Sequence, residues 1–284
     1  VQVSKFQVPA PAVTAWPNGA QVAVMVTVMY ETWPEGRTPP YSPMASPLRE
    51  GVVDRQGISW AEYGGRTGIW RLGEMFQDFG IKGTICANAR AVERYPGSVK
   101  ALHAAGHEIA GHSYTQNMFL PYMEPAEELA LIRCCAGIIE EAVGERPVGW
   151  ASPRMSPSEH TARFLAQEGF LWHGDYNDTD LPYVVATEAG PLVALQHSDF
   201  TDNRVMRGSP KDFLDVYRDT FDFLMQSRRP EILNLTVHAH FGGRPPLAAM
   251  VHRILQHMQL QGGRVWFARH DELARWVRQQ GETT

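Results

Sequence analysis

Apolar and polar positions fall in blocks along the chain, and the blocks switch between two periods. Residues 21–31 (QVAVMVTVMYE) form a β-branched apolar run with no charge before Glu31. Such a run predicts a central strand buried on both faces. From 67 to 79, Ile69, Leu72, Met75, Phe76 and Phe79 recur on one helical face. Residues 82–88 (KGTICAN) predict a second strand, and 89–105 a helix closed by Gly106 as its C-cap. In GHEIAGHSYTQN, residues 106–117, a short apolar segment lies between two glycines. That suits a strand and not a helix, and it puts His112 where the strand gives way to a loop.

The same alternation continues to the end of the chain. A helix is predicted over 124–143, with Pro125 in its first turn. A strand follows over 147–152. Ser156-Pro157-Ser158-Glu159 reads as a capping box opening a helix. Strands are predicted at 170–174 and 192–197, and Ser209-Pro210-Lys211-Asp212 opens another helix. Residues 231–238 (EILNLTVH) form a strand ending in His238. A helix follows Pro245-Pro246, a short strand covers 265–267, and a last helix starts at Asp271. Two stretches lack a period: a Pro-rich arm over 1–20, and a Pro- and Gly-rich insertion over 34–66, whose length marks it as functional or as an interface. Strand and helix alternating in this way predict a parallel sheet. At this length the fold class is α/β, a closed or nearly closed (β/α) barrel over 21–284 in a single domain.

Composition narrows the partners. The 284 residues are 44% hydrophobic and 20% charged, enough for one large core, and the net charge is -5. Scattered basic residues on an acidic chain point away from nucleic acid and anionic membrane. Three cysteines, Cys86, Cys134 and Cys135, make no disulfide framework and read as buried free thiols in a reducing compartment. The N-terminus has no signal-type apolar core, and no apolar run reaches the ~18 residues of a membrane span. A cytoplasmic protein is expected. The chain opens on Val1, which leaves room for a longer natural start.

The chemistry collects at strand ends. Glu31, His112, Arg154, Asp175, Asp178, His197 and His238 all fall at or just past predicted C-terminal ends, the rim where α/β barrels carry their sites. Tyr30 and Trp33 give Glu31 partly dry surroundings that demand a partner. His107-Glu108 resembles the start of a zinc-protease HExxH helix. The second histidine comes five residues on, so a helix would not put both on one face, and His107 reads as a strand histidine with a satisfied hydrogen bond.

The order of motifs resembles the polysaccharide deacetylase (NodB-homology) superfamily, from about Trp16 to Trp276. Within it the chain is most similar to the branch of deacetylase-type allantoinases and cyclic-imide hydrolases. The segments that carry this are YGGRTGIWR at 63–71, GHEI at 106–109, GERPVGW at 144–150, DLPY at 180–183, and His238 with Gly243-Arg244-Pro245. The resemblance implies a distorted (β/α) barrel that hydrolyses a non-peptide C–N bond. It also shows departures. Met29 stands where sugar deacetylases keep a base, with Glu31 at the ligand position that follows. Gln116 replaces the second histidine of the metal motif that begins at His112. Asp199, Asp202 and Arg204 align loosely with the allantoinase branch and order a loop.

What the resemblance implies for function is a hydrolase of a small amide, cyclic amide or imide. Two alternatives stand beside it: a metal-dependent sugar deacetylase, and a barrel that only binds a ligand. Glu31 would be the base, His112 its orienting partner and His238 the acid or oxyanion donor. Arg154 would bind a substrate carbonyl or carboxylate, or else bridge to Asp175 or Asp178. Trp33, Trp150 and Tyr183 would wall the pocket, with His240 beside them. A divalent metal, zinc, would be absent or held weakly by Glu31, His112 and Gln116. Relatives that form tetramers imply a homo-oligomer.

Overall fold

A computed structural model describes residues 13–37, 39–40, 42, 48–49, 51–205 and 207–281. Its centre is β1, Val22–Tyr30, every residue of which is buried. Val22, Val24, Val26, Val28 and Tyr30 face an outer core shared with helices, while Ala23, Met25 and Met29 face an inner core within the curl of the sheet. A strand with two apolar faces needs cover on both, and the chain supplies it by wrapping the sheet around itself.

The sheet runs β6-β7-β5-β4-β3-β2-β1-β8. β2 (Thr84–Ala87), β3 (Glu108–Gly111), β4 (Gly149–Trp150), β5 (Trp172–Tyr176) and β8 (Glu231–His238) all run parallel to their neighbours. β9 (Val265–Ala268) pairs with the first half of β1, on the side where β2 pairs with the second half. β6 (Tyr183–Thr187) is an antiparallel edge strand on β7 (Gly190–Gln196). No pairing joins β7 to β8 among the described residues, so the sheet is a curled half-barrel, not a closed one. The Asn234 amide of β8 reaches across that seam to the Gln196 carbonyl at 3.2 Å, and its oxygen accepts from Thr27 of β1 at 2.7 Å.

Several predicted elements change shape for identifiable reasons. The helix expected over 89–105 is two, α3 (Ala89–Arg94) and α4 (Pro96–Ala104). Pro96 offers no N–H and forces Tyr95 out of helical geometry, to φ -130° and ψ 50°. Part of the unpatterned 34–66 stretch is helix α1, Arg55–Tyr63, capped by the Asp54 carboxylate on Gly57 N–H at 2.9 Å. A π-helical turn, Gly64–Gly68, joins it to α2, Ile69–Asp78. The predicted capping box at 156–159 does not cap. Helix α6 starts at Thr161, whose hydroxyl accepts from Ser158 N–H, and Ser156 bonds back to Pro153. The strand expected over 147–152 shrinks to two residues. Residues 1–12 of the predicted arm lie outside the described residues, as do several positions of the insertion; Val13, Trp16 and Ala20 of the arm are buried.

The remaining helices follow the expected starts: α5 (Pro125–Val143) with a Glu124/Glu127 capping box, α7 (Pro210–Leu224) with Ser209 as N-cap, α8 (Pro245–Gln259) and α9 (His270–Gly281). Cys86 and Cys135 are buried free thiols as expected, but Cys134 is exposed. His107 accepts from Gly83 N–H at 3.0 Å, the satisfied structural histidine the sequence predicted.

Candidate active site

Four strands carry their inward series one step past the last core residue, and the chemistry sits there. On β1 the series Met25, Thr27, Met29 continues to Glu31. On β3, Glu108 and Ala110 lead to His112. On β7, Val193 and Leu195 lead to His197, and on β8, Asn234 and Thr236 lead to His238. The period of two along a strand is what aims all four into one space. Glu31 Oε1 lies 3.7 Å from His112 Nε2 and 3.5 Å from His238 Nε2, and all three side chains are buried.

Each histidine is fixed from behind. His112 Nδ1 sits 2.7 Å from the carbonyl oxygen of Ala151. A carbonyl can only accept, so Nδ1 carries a hydrogen, and Nε2 is the ring nitrogen turned toward Glu31. Nε2 is buried and has no hydrogen-bond partner. His238 is gripped twice by Asp202: its Nδ1 lies 2.5 Å from Oδ1, and its backbone N–H donates to Oδ2 at 2.8 Å. Asp202 is fully buried. The loop after β1 is tied down by Asn88, whose side-chain oxygen accepts from Thr32 N–H at 2.7 Å and whose amide donates to the His112 carbonyl. Ser113, next to His112, is buried and holds a left-handed φ of 61°. Such conformations are costly for residues other than Gly and mark places where the fold over-determines the backbone.

The electrostatics follow from this packing. Burial would lower the pKa of His238, but the Asp202 and Glu31 carboxylates outweigh it and raise it to about 9. Burial would raise Glu31, yet His238 and His112 win and bring it to about 2. His197 and His240 are pushed down to about 3 by burial, with the neighbouring His238 adding to the effect. The resting site therefore pairs a carboxylate with an imidazolium, flanked by neutral imidazoles.

Glu31, His112, His197 and His238 open on a cavity of ≈ 580 Å³, lined also by Met29, Gln116 and Arg154. Of the seven groups expected on the rim, two stay out. The Asp175 carboxylate is buried and bound to His173 Nε2 at 2.7 Å and to Ser152 N–H at 2.8 Å. Asp178 accepts from the Tyr183 hydroxyl at 2.8 Å. Neither bridges to Arg154. The aromatic wall expected of Trp150 and Tyr183 is not formed. Trp150 is wholly buried in the core beside Phe170 and packs over Gly111, where a Cβ would come within 2.6 Å of the indole. Tyr183 sits on the edge strand β6 against Tyr176. Trp33 stacks edge-on with His240 at 5.2 Å; neither lines this cavity, and Trp33 borders a second one that Glu31 also touches. Asp202 and Asn88 carry more of the site than the sequence reading gave them.

This geometry has relatives. The polysaccharide deacetylase family model matches residues 62–171. A probable polysaccharide deacetylase of Pseudomonas aeruginosa PAO1 is 32% identical, with a TM-score of 0.83 over 93% of both chains. The chain belongs to the polysaccharide deacetylase family. Puue allantoinase is 32% identical with a TM-score of 0.81, covering 92% of this chain and 91% of its own. The peptidoglycan deacetylase of Helicobacter pylori is 22% identical over 74% of this chain and 83% of its own. The half-barrel is thus a family fold, and the distorted barrel that the motifs implied is present.

Within this family a divalent metal is an expected partner, so the donor set matters. Glu31, His112 Nε2 and Gln116 are the groups that could meet an ion. Both His112 Nε2 and Gln116 Oε1 are buried without a partner. His238 Nε2 also faces Glu31, at 3.5 Å, but the Asp202 and Glu31 carboxylates raise the ring to about 9 and favour a proton over an ion there. Among the described residues no group of three His, Cys, Asp or Glu is arranged to hold an ion. One imidazole, one carboxylate and one amide oxygen make at most a weakened site and do not fit a tightly held zinc.

Proposed function

We propose that the protein hydrolyses the C–N bond of a small amide, cyclic amide or imide. The observation that carries this is the buried Glu31 carboxylate set between His112 Nε2 at 3.7 Å and His238 Nε2 at 3.5 Å. In this scheme His112 Nε2 acts unprotonated, so it and Glu31 Oε1, 3.7 Å apart, both accept from a donor placed against them. A water donating one hydrogen to each would present its oxygen to the cavity. As that oxygen bonds to the carbonyl carbon, its proton passes to His112 Nε2. Glu31 stays ionised and stabilises the imidazolium, because a carboxylate held at about 2 is too weak a base to keep the proton. His238 gives its Nε2 proton to the departing nitrogen as the C–N bond breaks. Acid and amine leave, and the proton on His112 returns to His238 through solvent. The Gln116 amide faces the same cavity and can donate to the tetrahedral oxyanion. No step here runs through a metal.

Removal of an acetyl group from an amino sugar is the second reading, and the names of the curated relatives support it better than they support the small-ring reading. What favours the small amide is the lining: among the described residues the cavity shows no Trp, Tyr or Phe on which a sugar ring would stack. A panel separates the two. Hydantoin-type rings, succinimide-type imides and linear amides are assayed for ring opening or amine release, beside N-acetylated sugar oligomers assayed for acetate. Turnover of a small ring or linear amide, lost in Glu31→Gln and His112→Ala, supports the first reading. Acetate release from the sugars alone supports the second. A cytoplasmic location and a homotetramer, checked by fractionation and by light scattering, complete the proposal. No described helix is long and apolar enough to cross a membrane.

A further inference from the structure

The cavity is charged in a way the hydrolytic groups do not require. Arg154, Arg204 and Arg207 all line it. Among the described residues, none of the three guanidinium groups is engaged in an ion pair or a hydrogen bond, although the chain as a whole carries a net charge of -5. They outnumber the Glu31 carboxylate, the one acidic side chain that lines the cavity among the described residues. The three arginines are themselves exposed, but a concave space of that sign concentrates anions more than an open surface does.

Two of the arginines are placed by structure that resists movement. Arg154 follows Pro153 with φ 55° and ψ 24°, and Met155 behind it also has a positive φ of 52°. Two consecutive left-handed residues without glycine carry an energetic cost, which the packing of this turn over-determines. Arg204 lies on the 3₁₀ turn Asp202–Val205. That turn is anchored at both ends, by Asp202 at 0% exposure under His238 and by Val205 at 5%. The element that orients the acid thus also presents a guanidinium to the same cavity. Asn203 lines it as well and offers a neutral amide donor.

We infer that Arg154, Arg204 and Arg207 form a carboxylate subsite, so that the substrate is a small amide bearing a carboxylate on the part that does not react. The inference rests on the amide-hydrolase reading for its reacting group and goes beyond it in naming the charged half. Guanidinium forks match a carboxylate in two-point geometry, and the absence of competing acidic partners leaves them available. The cavity, ≈ 580 Å³, is of the size that takes a small molecule.

The test pairs ω-amido carboxylates with their neutral counterparts: succinamate with butyramide, and glutaramate with valeramide. Binding is measured by calorimetry at low salt and in 0.5 M salt, and turnover is measured separately. The expected result is at least tenfold tighter binding of the anionic member of each pair, falling with salt. Arg204→Gln and Arg207→Gln each lower that affinity by roughly tenfold while leaving the melting temperature unchanged, and Arg204→Lys recovers part of it. Equal affinity for the charged and neutral members, no measurable binding of the anions, or anion binding indifferent to the arginine variants would each overturn the subsite. Tight, arginine-dependent binding without turnover of any amide would retain the subsite and sink the hydrolase reading. Turnover of neutral amides with no charge preference would do the reverse.

Discussion

Asp202 holds His238 by ring and by backbone at once, through contacts of 2.5 Å to Nδ1 and 2.8 Å to the amide nitrogen. One carboxylate therefore sets both the position of the strand end and the protonation of the imidazole. The pair is buried, so little water screens it, and the charged ring is stabilised against the burial that would discharge it.

Activity should therefore fall as pH rises through about 9, where His238 loses the proton it gives to the leaving nitrogen. Asp202→Asn removes the charge that raises the ring. The alkaline limb should then move toward neutral pH and kcat should drop, whereas His238→Ala should lower kcat by roughly 10²–10⁴-fold, the usual range for a lost general acid. The same linkage reaches stability. His238 is raised above its unfolded value, so its contribution is complete below about 6.5 and is lost as pH rises through about 9. Glu31 is depressed, so its contribution is present above about 4.5 and lost as pH falls toward about 2. Melting temperatures across pH should plateau between these limits, and the alkaline decline should flatten in Asp202→Asn. A pH–rate profile of the variant that overlays the wild type would refute the coupling.

Asn88 bridges the two strand ends that carry Glu31 and His112. Replacing it with Ala leaves the Thr32 N–H and the His112 carbonyl without this partner in a buried place. Each orphaned group costs about 1–3 kcal/mol, so Asn88→Ala should unfold at distinctly lower urea, with the slope unchanged. Its kcat should fall further than its stability loss explains, because the two reacting side chains are no longer held in register. Asn88→Asp keeps the acceptor and loses the donor, and should lie between. Full activity in both would show that the bridge is structural only.

What could be read from the sequence was whatever repeats locally. The run ending at Glu31, the apolar segment before His112 and the strand ending at His238 all state their period in a few residues, and all three end at the site. Helix α7 was legible because Ser209 and Pro210 announce it. Helix α1 was not, since only Gly57 and Trp60 of its nine residues are buried. Its one signal is Asp54, an N-cap that sits in a stretch otherwise without pattern. Strand β6 escaped because an edge strand buries no residue fully. Asn88 and Asp202 act on partners 24 and 36 positions away, and nothing near them in the chain records that. Trp150 misled for the opposite reason: a large aromatic near a strand end reads as pocket wall, but the facing Gly111 leaves a slot that the indole fills as core.

The donor set predicts how the protein responds to metal. Dialysis against a chelator should leave activity within about twofold, with no stoichiometric zinc in the purified protein, because one imidazole, one carboxylate and one amide oxygen bind zinc poorly. Gln116→His restores a second imidazole beside His112 Nε2. That variant should take up zinc measurably more tightly than the wild type by competition with a chromophoric chelator. Loss of wild-type activity on chelation, recovered by zinc, would overturn the metal-free scheme outlined for Glu31 and His112.

The loop that carries His240 depends on a contact at the π-helical turn. A Cβ at Gly68 would lie 1.9 Å from the carbonyl oxygen of Ala239, and one at Gly243 would lie 2.6 Å from the same atom. Neither approach can be relieved by a side-chain rotation, since the obstacle is backbone. Gly68→Ala must therefore push the turn away from the segment after β8, and that segment begins at Ala239, next to His238. Overpacking of this kind typically costs about 1–3 kcal/mol, and more where backbone must move. The expected outcome is a loss of at least that size in chemical denaturation, accompanied by a lower kcat even where the variant is fully folded. Gly97→Ala, where a Cβ meets nothing within 4 Å, is the matched control and should change neither quantity. If Gly68→Ala were as stable and as active as that control, the close approach of the turn would not be what positions the end of β8.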